Sequence, residues 1–139
     1  MALDLSSLKS AVESLEQAIL VIQDKKQFNL LTKQQQKVIK AGVIQNFEFT
    51  YELCWKFIKR WLEANYSSSV DGLVRNELFR IAAEHQLITD VTKWFDYHNA
   101  RNKTSHIYDE DVAEEVFKIS CNFLPDAKKL LKRLEEHND

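Results

Sequence analysis

FEFTYELCWKFIKRWLE, residues 47–63, carries two apolar stripes at helical spacing. One runs Val43, Phe47, Tyr51, Cys54, Ile58, Trp61, and the other Phe49, Leu53, Phe57. The period predicts a long helix from about Lys33 to Asn65. Two stripes cover more of the circumference than one packing face needs. Such a helix sits at the centre of a bundle or is covered by a second subunit. The plain account of so many rings is core packing. A base-stacking platform needs exposed rings beside basic residues. Lys56, Lys59 and Arg60 are the nearest, and solvated helix charges explain them equally well.

Working outward, Leu5, Leu8, Val12, Leu15, Ile19 and Ile22 recur at three and four, predicting an amphipathic helix from about Asp4 to Asp24. Gln27 to Lys33 breaks the period and reads as a loop. YSSSVDG, Tyr66 to Gly72, is the clearest connector, with Asp71 or a nearby Ser available to cap the next helix. Leu73, Glu77, Leu78, Ile81 and Ala82 support a short third helix to about Gln86, and His85 at its end reads as a helix-terminal cation. A fourth helix begins near Thr89 or Asp90. A fifth starts between Asp109 and Asp111, with Asp111 and Glu114 as a loose capping box and Pro125 a point of kinking or division. These elements predict an all-α chain: an up-and-down four-helix bundle core with an additional short helix.

Composition narrows the function. The 139 residues include two glycines and one proline, so long helices and short connections are expected in one domain spanning 1–139. No Gly-rich phosphate cradle is present. A formal charge of −2 argues against a broad basic surface for non-specific nucleic-acid binding, but leaves room for a local basic site. Cys54 and Cys121 lie in apolar helical stretches and read as reduced, buried thiols of a cytoplasmic protein. The first residues show no signal peptide, and no apolar run approaches the roughly 20 residues that span a bilayer.

Chemistry concentrates in WFDYHNARNKTSHIYDEDV, Trp94 to Val112. Arg101 is a cationic fork suited to phosphate, and His106 exchanges protons near neutral pH. Lys103 and Asn102 add donors, and His98 lies on the Trp94 face of the helix. The set fits phosphodiester cleavage without metal: histidine moves the proton of a ribose 2′-hydroxyl and arginine stabilises the transition-state charge. On a continuous helix Arg101 and His106 would diverge by about 140°. Convergence requires the helix to end between them, near Asn102, and the chain to fold back. An arginine and a histidine five apart also occur without any catalytic role. His98, His106 and Asp96 form no recognised ligand spacing, so no metal or other cofactor is expected. The acidic run Asp109, Glu110, Asp111 suits a helix start and repels phosphate, which pushes any phosphate site towards Arg101 and Lys103.

ARNKTSHIYDE, with Arg, four residues, His and then His-x-Tyr, resembles the signature of HEPN-domain proteins. It is more specifically similar to the HepT-type branch, the nucleotidyltransferase substrate-binding proteins, whose second helix FEFTYELCWKFIKRWLE also resembles. The likeness covers nearly the whole chain. It implies an all-α bundle, a homodimer with the motif near its interface, and a separately encoded minimal nucleotidyltransferase as partner. It implies a metal-independent ribonuclease toxin acting on RNA, with Arg101 and His106 as the catalytic pair and Asn102, Lys103 and His98 at the substrate. Tyr108 matches the tyrosine that the antitoxin partner modifies with AMP in some pairs. The alternative it implies is a non-catalytic subunit holding a nucleotide or substrate for the nucleotidyltransferase.

Overall fold

The computed structural model describes residues 2–66 and 70–138. Among them are α1 (Ser6–Gln23), α2 (Lys25–Asn29), α3 (Lys33–Asn65), α4 (Arg75–Glu84), α5 (Val91–Asn102) and α6 (Glu110–Glu136). A 3-10 turn, Thr104–His106, stands between α5 and α6. The chain is all-α, with α1, α3, α5 and α6 as the bundle and α4 bracing α3 and α5.

α3 is the axis of the bundle and spans the predicted range. Thr32 and Gln35 close a reciprocal capping box at its start. Its 33 residues give a rod of about 50 Å. The first stripe is core: Val43, Phe47, Tyr51, Cys54, Ile58 and Trp61 are all buried. Phe123 of α6 fills the centre, edge-on to Phe47 at 5.1 Å, Tyr97 at 4.8 Å and Trp94 at 5.6 Å. Such edge-to-face rings favour one arrangement over its alternatives. The second stripe behaves differently. Phe57 is buried, Leu53 half-buried, and Phe49 is 56% exposed. Within one subunit α3 is therefore covered on most of its circumference but not all.

Several local expectations are corrected. Gln27 to Lys33 is not all loop: Asp24 accepts from Gln27 N, α2 forms, and Phe28 is buried beneath it. Five residues are too few to display a period, and α2 stands beside α4 as a further short helix among the described residues. α4 starts after Val74 with no side-chain cap, and Asp71 pairs instead with Lys59 at 2.9 Å. Ser67, Ser68 and Ser69, the other candidate caps, lie outside the described residues. Asp109, not Asp111, caps α6, accepting from Asp111 N and Val112 N. α6 runs through Pro125 without division. Cys54 is buried, and burial pushes its thiol far up; Cys121 is only half-buried.

The two ends of the chain are tied together. The Asn138 side chain accepts from Leu3 N at 2.7 Å and donates to Leu3 O at 2.8 Å. Trp61 Nε1 donates to His137 O at 3.2 Å. These bonds hold α1, α3 and α6 together at one end.

Candidate active site

α5 ends at Asn102, with Lys103 in the capping position, so the helix breaks where convergence of Arg101 and His106 requires. Arg101 lies on the last turn, facing α3. Its Nε donates to Glu52 Oε1 at 2.9 Å, and its Nη1 lies 3.3 Å from Glu48 Oε2. The Thr104 hydroxyl accepts from Nη1 at 3.4 Å and lies 3.1 Å from Glu48 Oε2. Glu48 and Glu52, one helical turn apart, thus fix one edge of the guanidinium fork. Among the described residues no protein group takes the Nη2 hydrogens. The arginine side chain is 33% exposed, so its remaining edge is open to a ligand.

Neither glutamate was foreseen as part of the site. Their sequence signal is nonetheless present: two acids four apart on one side of a helix whose other sides are apolar. Trp55 Nε1 donates to Glu52 Oε2 at 3.0 Å, so Glu52 is held from both sides.

His98 lies one turn before Arg101 and Asn102. Its Nδ1 is 2.8 Å from the Tyr51 hydroxyl, and its Nε2 is 3.5 Å from the Asn102 amide. The Tyr51 oxygen also faces the Arg75 guanidinium, which can only donate. The Tyr51–His98 bond can run either way, its direction following the histidine tautomer, because the phenol oxygen can accept from Arg75 and still have a lone pair for Nδ1. Burial, with Arg75 second, lowers the His98 pKa. The lowered pKa favours the neutral ring, whose Nε2 faces the Asn102 amide nitrogen. Burial pushes the Tyr51 phenol far up, so it stays protonated.

The rest of the motif stands apart from this cluster. Thr104–His106 turns the chain, with His106 N bonded to Lys103 O at 2.9 Å and Asp109 N to His106 O at 3.1 Å. His106 is exposed, its ring edge-on to Tyr108 at 6.0 Å. Tyr108 is 80% exposed and borders a cleft of about 680 Å³ between the starts of α3 and α6, lined also by Lys33, Lys37 and Lys40. Lys103 turns away to pair with Glu115 at 2.9 Å. The structure therefore gathers Arg101, His98 and Asn102. It sets His106 and Tyr108 side by side on the adjoining turn and leaves Lys103 on the α6 side. Among the described residues no hydrogen bond joins Arg101 to His106 within a subunit, and no group of three or more His, Cys, Asp or Glu could hold a metal.

Residues 3–136 match the family model described as nucleotidyltransferase substrate binding protein like. The chain belongs to that family. It is 36% identical over 138 residues to the Haemophilus influenzae protein named Probable ribonuclease HepT, covering 98% of this chain and 94% of that relative. A solved Haemophilus influenzae structure, described as the fold of a substrate binding domain of a nucleotidyltransferase, superposes with a TM-score of 0.91 at 35% identity. That match covers 95% of this chain and 99% of the other. A Thermus thermophilus crystal structure shares the fold at a TM-score of 0.70 and 23% identity, over 91% and 98% of the two chains. The family and the all-α fold expected from the two motifs are thus in place. Among the described residues no helix is long and apolar enough to cross a membrane.

Proposed function

We propose that the chain is a HepT-type ribonuclease, active as a homodimer and restrained by a separately encoded nucleotidyltransferase. The observation that carries this reading is the pairing on adjoining turns of an anchored, open-edged Arg101 with an exposed His106. His106 takes the proton of a ribose 2′-hydroxyl, and the oxygen attacks the adjacent phosphorus. The P–O5′ bond breaks, giving a 2′,3′-cyclic phosphate and a 5′-hydroxyl, the leaving oxygen taking a proton through solvent while His106 gives up the one it accepted. The open edge of Arg101 bonds the non-bridging oxygens as charge builds on them. His98 and Asn102 position the strand, and no metal takes part.

Two features support a homodimer. Arg101 and His106 share no hydrogen bond within a subunit, and Phe49 leaves an apolar part of α3 uncovered. A dimer would pool two copies of the motif. Tyr108 supports control by the partner. Its phenol is exposed beside His106, so an added AMP would place bulk and negative charge against the catalytic histidine.

The test is cleavage of RNA by the purified protein. Activity is expected to persist with chelator and to vanish in His106→Ala and Arg101→Ala. Cleavage that survives His106→Ala removes the proposed role. The second reading, a non-catalytic subunit that holds a nucleotide for the nucleotidyltransferase, is favoured by the net charge of −2 and the two carboxylates beside Arg101. Tight nucleotide binding with no RNA cleavage would select it.

A further inference from the structure

We infer that Arg75, with the Tyr51–His98 pair, forms a second phosphate subsite beside Arg101, taking the RNA backbone phosphate next to the one cleaved. The inference rests on the ribonuclease reading for its substrate, but the anion site itself stands on separate observations.

Arg75 is the first residue of α4, and Val74 before it offers no capping side chain. Helix starts carry unsatisfied N–H groups and a positive field, and they favour anions over cations. A cation there needs a counter-charge, and Arg75 has none: among the described residues no ion pair includes it. Its Nε is buried without a hydrogen-bond partner. The acids of this region are engaged elsewhere, Asp71 with Lys59 and Glu52 with both Arg101 and Trp55. An uncompensated, partly buried charge is costly, and a bound anion would relieve it.

The guanidinium is held in place. It packs over the Trp55 ring, 3.3 Å from the centroid, and faces the Tyr51 hydroxyl. His98, bonded to the same Tyr51 hydroxyl that Arg75 faces, lies within the field of both Arg75 and Arg101. Arg75 packs on Trp55, which bonds Glu52, and Glu52 in turn holds Arg101; two guanidiniums braced side by side against one helix suit two phosphates of one strand better than a single phosphate. Glu52 is the opposing element, and it keeps the site from holding anions indiscriminately.

Binding of uncleavable 2′-O-methyl oligonucleotides tests this, comparing a dinucleotide with one phosphate and a trinucleotide with two. The native protein should prefer the trinucleotide by about tenfold, the worth of one charge-assisted contact. Arg75→Gln should erase that preference and leave dinucleotide binding within about twofold, whereas Arg101→Gln should weaken both. An unchanged length preference in Arg75→Gln overturns the subsite. So does a loss of ATP affinity without a loss of trinucleotide affinity, which would assign Arg75 to a nucleotide. Inorganic phosphate gives an independent reading: the Arg75 Nε–H proton resonance should shift on titration. If it shifts while neither oligonucleotide binds, the RNA reading fails and the anion site stands. If it does not shift, the anion site fails. Matching thermal melts of the variants exclude loss of fold as the cause.

Discussion

Glu52→Gln is the most informative single change, because Glu52 anchors Arg101 without being expected to touch RNA. The substitution keeps the side-chain volume and removes the charge facing Nε at 2.9 Å. At an effective dielectric of 20, two unit charges about 4 Å apart attract by about 4 kcal/mol. Both side chains are about one-third exposed, 33% and 32%, so solvent screening and desolvation reduce the net value to about 1 kcal/mol. For a chain of 139 residues that is a fall in Tm of about 4 °C. A double-mutant cycle with Arg101→Gln should return a coupling of about 1 kcal/mol. RNA cleavage should fall about tenfold as the fork loses its fixed direction, a geometric loss. Binding of an uncleavable oligonucleotide should tighten about threefold, since one negative charge has left the site. Calorimetry on the four proteins of the cycle and single-turnover cleavage measure all three. Zero coupling together with undiminished cleavage would refute the anchoring role.

The remaining predictions concern the neighbours of that anchor and the core. Tyr51→Phe removes the hydroxyl bonded to His98 Nδ1, so stability should drop by about 1 kcal/mol in denaturant unfolding. Because the folded His98 pKa is lowered, the unfolded chain binds the proton first. The neutral ring's contribution is therefore complete above about pH 6.5 and is lost as pH falls from there through the folded value. His98→Gln should flatten the dependence of Tm on pH in that window. Phe123→Ala, which opens the centre of the ring cluster, should cost about 3–5 kcal/mol in denaturant unfolding.

The legibility of the fold followed helix length. α3 and α1 repeat their period often enough to be read almost to the residue, and Thr32 with Gln35 marks the start of α3. α2 has five residues and one buried ring, Phe28, so no period could reveal it. Capping was harder to read, since several acids stand near each helix start and the backbone path selects among them. At α6 the path selects Asp109 over Asp111. At α4 it selects no side chain, leaving Asp71 with Lys59. Within the site, the motif marked Arg101, His98 and Asn102, which the end of α5 gathers. Glu48, Glu52 and Arg75 come from other helices, and only the crossing of α3 with α4 and α5 brings them to Arg101 and His98.

That crossing explains why the apolar stretch of α3 carries polar residues. Glu48, Tyr51, Glu52 and Trp55 occupy successive turns on the side that α4 and α5 approach. Glu48 and Glu52 orient Arg101, Tyr51 holds His98, and Trp55 carries Arg75. Residues 47–63 are thus both core and support for the site. Among the described residues His106 has no comparable support, its ring meeting the exposed Tyr108. A rigid arginine half and an exposed histidine half differ in what fixes them. The histidine half is then the part that a second subunit, the RNA or a modified Tyr108 can hold in place or block.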